Sequence, residues 1–110
     1  MLSIRLYLAQ RISAMLMAPL VLIHLGVMVY AIQGGLSADE ILGRTQGSLT
    51  WGGIYGLFVL AVSVHAAIGL RVVAYEWLGV FGRRLEAFTH IVALLLLVLG
   101  GHAVFAVVLS

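Results

Sequence analysis

The sequence predicts an all-α integral membrane protein with three transmembrane helices. Of its 110 residues, 64% are hydrophobic and only 9% are charged, against roughly a quarter in ordinary soluble domains. Residues 12–38, 45–70 and 87–110 carry no charged side chain, and each stretch exceeds the ~20 residues that a helix needs to cross a bilayer. These stretches are continuously apolar, whereas a membrane β-strand alternates over ~10 residues. Composition therefore excludes a soluble enzyme, a nucleic-acid-binding domain and a disordered chain.

We predict helices at about residues 8–33, 48–78 and 84–109, within a single transmembrane domain covering residues 1–110. The first helix differs from a signal peptide because its apolar run is too long and lacks a small-residue cleavage site. In the first connection, Ser37 and Glu40 have the spacing of a capping box, which predicts a short surface helix. The second connection, GVFGRR at residues 79–84, is predicted to be a tight turn.

The arginines predict how the helices are oriented in the membrane. Five of them lie on one side of the predicted spans: Arg5, Arg11, Arg71, Arg83 and Arg84. Arg44 lies on the other side. By the positive-inside rule we expect a cytoplasmic N-terminus and a periplasmic C-terminus in a bacterial inner (cytoplasmic) membrane. The chain has no cysteine, which excludes disulfides, thiol catalysis and iron–sulfur ligation by this subunit.

Histidines are the candidate functional groups inside the spans, where ionisable residues are costly. The chain has four of them, His24, His65, His90 and His102. A histidine in a helix bundle most readily ligates haem iron, because neutral imidazole binds axially and one residue per helix suffices. Zinc would need three or four clustered ligands. The alternative interpretation is a cofactor-free structural or assembly subunit in which the histidines are hydrogen-bonded packing groups.

His65 has the most informative surroundings. Gly69 lies one turn further along the same helix face, where a glycine would let a flat macrocycle approach the backbone. Arg71 lies about 9 Å from His65 along the helix axis, so that it could meet a haem propionate or a polar partner at the membrane edge. The alternative is that Gly69 is a packing notch and that Arg71 is an interfacial anchor.

The start of the first helix contains a candidate quinone site. Arg11 could be an interfacial anchor, or it could bind a quinone carbonyl with Tyr7 or Ser13 as a nearby hydrogen-bond donor. Both interpretations place these residues at the membrane surface on the arginine-rich side.

Two segments resemble a known family. The stretch His65-Ala-Ala-Ile-Gly-Leu-Arg71, followed by Tyr75 and Glu76, resembles the helix II signature of the cytochrome b556 subunit of succinate dehydrogenase. Residues 7–13, YLAQRIS, resemble the helix I pattern S-x-x-H-R-x-S of the same family. Tyr7 stands where that family has a quinone-contacting serine, and Gln10 stands where it has a histidine. The resemblance extends over nearly the whole chain.

This resemblance implies a membrane-anchor subunit of a succinate:quinone oxidoreductase or a quinol:fumarate reductase, without dicarboxylate chemistry of its own. The implied partners are the lipid bilayer, a flavoprotein subunit, an iron–sulfur subunit and a second small anchor, or a second copy of this chain. One haem b would be shared with that second anchor, with His65 as the axial iron ligand and Arg71 near a propionate. Ubiquinone or menaquinone would bind at Arg11.

The other histidines leave the number of haems open. His24 and His102 lie in the half of the membrane opposite the arginine-rich side and are candidate ligands of a second haem. Alternatively, His24 and His65 face one another across a single haem. His90 lies about 9 Å inside the third helix and is expected to make a polar contact. A small transporter is disfavoured because no acidic residue lies inside a span.

Overall fold

Three long helices and one short helix make up the structure. The computed structural model describes residues 3–35 and 37–109. The elements are α1 (Ile4–Gln33), α2 (Ala38–Thr45), α3 (Leu49–Leu78) and α4 (Arg83–Val108). Helices α1, α3 and α4 are each long and apolar enough to cross a membrane, and none of the described residues forms a strand. The prediction of an all-α protein with three spans is confirmed.

The helix boundaries follow the capping signals in the sequence. Helix α1 begins at Ile4 rather than at residue 8, because Ser3 Oγ accepts a hydrogen bond from the Leu6 amide at 3.3 Å. The short surface helix predicted in the first connection is α2, and Ser37 Oγ accepts from the Glu40 amide at 3.1 Å. The other predicted boundaries of the long helices lie within one residue of the observed ones.

Helix α3 is the central helix, because the main contacts of both α1 and α4 are with α3. Small residues let the helices approach closely, as is usual for membrane helices. A Cβ atom at Gly100 would lie 2.5 Å from Val59 Cγ1, and one at Gly52 would lie 3.2 Å from Val108 Cγ1. Several buried side chains of α3 are also small: Ala61, Ser63, Ala67 and Ala74.

Helix α2 is fixed to the C-terminus of α4. Thr45 is 1% exposed, and its hydroxyl donates to the Val107 carbonyl at 2.7 Å. The Gly47 amide donates to the Val108 carbonyl at 2.6 Å. These two bonds satisfy carbonyl groups that the last turn of a helix leaves without intrahelical partners. We call this end of the molecule the α2 end.

The opposite end, where α1 begins and α3 turns into α4, is the arginine-rich end. Gly79 and Gly82 have φ values of 68° and 66°, which glycine adopts with the least strain. The predicted tight turn is therefore present, and α4 begins directly after Gly82. The molecule is 47 Å long, close to the 40–45 Å thickness of a bilayer with its headgroups.

Candidate functional site

His65 lies at the interface of α3 with α1, beside Ser13. Ser13 is 4% exposed, and its hydroxyl donates to the Gln10 carbonyl at 2.9 Å. The same Oγ lies 3.4 Å from His65 Nδ1. A serine hydroxyl has one hydrogen, and the shorter distance assigns it to the carbonyl, so Oγ accepts from His65 Nδ1–H. His65 Nε2 then carries the lone pair and has no hydrogen-bond partner among residues 3–35 and 37–109.

This geometry suits a histidine that supplies one bond to a metal. Ligating histidines almost always donate their other ring N–H to an oxygen, which fixes the tautomer and the ring orientation. Within the described part of the chain, no group of three or more His, Cys, Asp or Glu side chains could hold a metal ion. The donor set at His65 therefore fits axial haem ligation and does not fit a closed zinc site.

Gln10 of α1 lies opposite Gly69. A Cβ atom at Gly69 would be 3.7 Å from Gln10 Nε2, so this glycine lies where α1 approaches α3. Gln10 Oε1 is buried and has no hydrogen-bond partner in the described chain. A buried amide oxygen without a partner costs free energy. Near His65, Gln10 Oε1 could therefore accept a hydrogen bond from a further group that binds there.

Arg71 joins α3 to α4. One guanidinium nitrogen lies 2.6 Å from Glu86 Oε1, and another donates to Thr89 Oγ1 at 3.1 Å. The Arg71 side chain is 11% exposed. Of the two roles expected for Arg71, the structure contains the polar partner at the membrane edge. Sequence analysis did not single out Glu86 or Thr89, although the position of an acid near the start of α4 was a signal for this pair.

A groove of about 500 Å³ lies at the arginine-rich end. It is lined by Ser3, Ile4, Tyr7, Arg71, Val72, Tyr75, Glu76 and Leu85. Arg11 is exposed, and its guanidinium carbon lies 5.9 Å from the centroid of the Tyr7 ring. Ser13 faces His65 instead. Of the three residues predicted to bind quinone, Tyr7 and Arg11 are therefore close together, and Ser13 is separate from them.

His24 lies in a crevice of about 540 Å³ toward the α2 end. Its ring centroid is 5.1 Å from that of Phe58 and 6.2 Å from that of Tyr55. His24 Nδ1 is buried and has no hydrogen-bond partner in the part of the chain that the structure describes. Unlike His65, His24 is surrounded by apolar and aromatic groups.

The remaining two histidines are exposed on α4. His90 Nδ1 lies 2.7 Å from the Glu86 carbonyl of the same helix, to which it donates, and this is the polar contact expected near the arginine-rich side. His102 does not line the crevice that contains His24. A second haem between His24 and His102 stays a prediction.

Comparison with known proteins identified one family. The family model described as succinate dehydrogenase/fumarate reductase transmembrane subunit matches residues 2–109. Comparisons with curated proteins and with solved structures found no significant match. The family match includes α1, α2, α3 and α4 in full.

Proposed function

Because the chain belongs to the family of succinate dehydrogenase/fumarate reductase transmembrane subunits, we propose that it binds haem b and passes electrons between an iron–sulfur partner and membrane quinone. The family makes the chain a membrane-anchor subunit that associates with other subunits of such a complex. The observation that carries the finer proposal is the His65 geometry, in which Ser13 accepts from Nδ1 and Nε2 is left without a partner.

In this proposal His65 would hold the iron through Nε2, and Ser13 would keep the His65 ring in one tautomer. A bound haem b supplies one-electron transfer. A residue of the partner anchor, or of a second copy of this chain, would complete the set of groups that hold the haem. Arg71 is already paired with Glu86 and Thr89, so we assign it to stabilising α3 against α4 near the haem rather than to a propionate alone.

We place the quinone in the groove at the arginine-rich end. Tyr7 lines this groove, and its hydroxyl is a donor that can reach a quinone carbonyl, while Arg11 lies over the Tyr7 ring. Arginines cluster at this end, so the positive-inside rule favours a cytoplasmic position for it. The iron–sulfur partner would then dock there, on the same side as the quinone.

The test is the haem content of the purified complex, measured by the pyridine-haemochromogen assay and by the reduced-minus-oxidised spectrum. We expect a b-type signal in the wild type, its loss in His65→Ala, and its retention in His90→Ala. His90 is the matched control because it is also a helical histidine with its Nδ1 hydrogen-bonded. An intact wild-type complex without haem would instead support the cofactor-free anchor.

The same assay counts the haems. About half a haem per anchor chain is the stoichiometry of one haem shared by two anchors. That value would exclude a second haem on His24 and His102. About one haem per anchor chain would support it, and His24→Ala should then lower the count without removing the signal that depends on His65.

A further inference from the structure

The crevice that contains His24, here called the α2-end crevice, has an unusual distribution of polar groups. It lies among α1, α3 and α4 and is bounded by α2. Most of its lining is aliphatic, with Val27, Met28, Ala31 and Ile32 from α1 and Gly100, Ala103, Val104 and Val107 from α4. Arg44 of α2 lines it on the membrane-surface side. The apolar α2-end crevice therefore opens beside the guanidinium group of Arg44.

The depth of the crevice matches one leaflet of a bilayer. Along α1 its lining runs from Ile32 to His24, which is about 12 Å at 1.5 Å per residue. Half of a ~30 Å hydrocarbon core is ~15 Å. An acyl chain that entered from the membrane surface would therefore lie against aliphatic walls for most of its leaflet depth.

Arg44 has no anionic partner among the described residues. Its Nε is buried without a hydrogen bond, and Arg44 makes no ion pair with any residue in 3–35 or 37–109. Its guanidinium carbon lies 5.4 Å from the Tyr30 ring centroid, which holds the group at the mouth of the crevice. Arg44 is half-buried, and a guanidinium binds phosphate oxygens well.

A second pocket, which has charged and polar side chains in its lining, adjoins the crevice through Arg44. It has a volume of about 710 Å³ and is lined also by Tyr30, Gln33 and Glu40. Glu40 makes no ion pair with a described residue. The pocket therefore offers a cation and a carboxylate at the level of the membrane surface, which complement a headgroup that carries both a phosphate and an amine.

From this arrangement we propose that an ethanolamine phospholipid occupies the α2-end crevice. Its phosphate binds Arg44, its ammonium group faces Glu40, and one acyl chain lies between α1 and α4 down to His24. A headgroup with a phosphate but no amine would leave Glu40 unpaired beside a second negative charge. The charges therefore favour ethanolamine over a purely anionic lipid.

The proposal can be tested by photolabelling. The purified complex would be placed in phosphatidylcholine nanodiscs with a trace of phosphatidylethanolamine that carries a diazirine in its acyl chain. After illumination, peptide mass spectrometry locates the label. We expect enrichment in residues 27–32 and 103–107. Unlabelled phosphatidylethanolamine should compete with this labelling, and phosphatidylglycerol should compete much less.

Two variants and one control make the test specific. Arg44→Gln should lower crevice labelling about tenfold, because it removes a charge-assisted bond. Ala31→Leu should lower labelling, because the larger side chain narrows the crevice while Arg44 stays in place. This variant keeps the proposal testable if the Arg44→Gln complex does not assemble. Arg84→Gln, an exposed arginine at the other end, should change nothing.

Four results would overturn the proposal. Labelling spread evenly over the lipid-exposed surface would show no specific site. Labelling unchanged in both crevice variants would show that neither the cation nor the channel holds the lipid. If the crevice is not labelled and instead crosslinks to a partner subunit or contains a haem on His24, its occupant is not a lipid. If phosphatidylglycerol competes as well as phosphatidylethanolamine does, the assignment of an ethanolamine headgroup is wrong.

Discussion

The two histidines between the helices, His65 and His24, have opposite environments. His65 has a buried serine hydroxyl that accepts from Nδ1. His24 has aromatic rings around it and a buried Nδ1 with no hydrogen-bond partner in the described chain. The same residue type thus has a serine hydroxyl beside Nδ1 in the first position and only aromatic rings around it in the second. On the proposed function, we therefore prefer His65, which has an oxygen beside Nδ1, as the haem ligand.

Replacing each histidine by leucine should change stability in opposite directions at the two positions. We expect His24→Leu to raise the free energy of unfolding by about 1–3 kcal/mol, because it removes an unsatisfied buried polar atom. His65→Leu should lower stability, because Ser13 Oγ loses the ring nitrogen beside it and because the proposed haem can no longer bind. Thermal denaturation of the detergent-solubilised complex measures both.

A decrease in stability for His24→Leu together with a decrease in haem content would contradict this assignment. It would indicate that His24 holds an iron as well. A decrease in stability without loss of haem would mean that Nδ1 of His24 has a partner from another subunit.

Gly100→Ala changes the packing of α4 against α3 in the crevice that contains His24. Its Cβ would lie 2.5 Å from Val59 Cγ1, and overpacking of this kind costs about 1–3 kcal/mol. Gly101→Ala is the matched control, because nothing lies within 4 Å of a Cβ there. We expect a lower unfolding temperature for Gly100→Ala alone, with haem content unchanged in both. Equal unfolding temperatures for the two variants would mean that α3 and α4 pack differently.

Arg71→Gln changes the contact between α3 and α4 on the helix that carries His65. It removes the hydrogen bonds to Glu86 and Thr89 that join α3 to α4. We expect a smaller loss of stability than for Gly100→Ala, because Glu86 is exposed and can be hydrated. The unfolding temperature checks this, with Arg84→Gln as the control. If Arg71→Gln removed haem without lowering stability, Arg71 would act on a propionate instead.

Ser13→Ala should have the smallest effect, and it tests the contact between Ser13 and His65 directly. Hydrogen bonding from Nδ1 makes a ligating imidazole more basic, which favours ferric iron. Its loss should raise the haem reduction potential by about 20–60 mV, the equivalent of a 0.5–1.5 kcal/mol hydrogen bond. A redox titration measures this, and Ser13→Thr should keep the wild-type potential. Unchanged potentials in both variants would contradict the assigned role of Ser13.

The sequence alone was sufficient to predict the helices, but not to predict which face of each helix contacts a neighbouring helix. Long uncharged runs define α1, α3 and α4, and Ser37 with Glu40 predicts α2, because these signals are local. Which side of a span faces a neighbour is not encoded in hydropathy, since lipid and helix interfaces are both apolar. Ser13 therefore looked like a surface donor near Arg11, although it lies at the interface with α3.

The partners of Arg71 were unpredictable for a related reason. The contact depends on how far α4 is shifted along α3, and that register is fixed by close packing of small residues such as Gly100 against Val59. Likewise, Arg44 was recognised as the isolated arginine on its side of the membrane, but its position at the mouth of an apolar crevice required the folded arrangement of α2 against α4.

The most direct test of the central claim, that His65 Nε2 ligates the haem iron, is imidazole rescue of His65→Gly. This variant removes the ligand and leaves a space where free imidazole can bind. We predict that purified His65→Gly complex lacks the wild-type b-type spectrum and regains it when haem and imidazole are added together. A wild-type spectrum in His65→Gly without imidazole would contradict the claim, because another residue would then hold the iron.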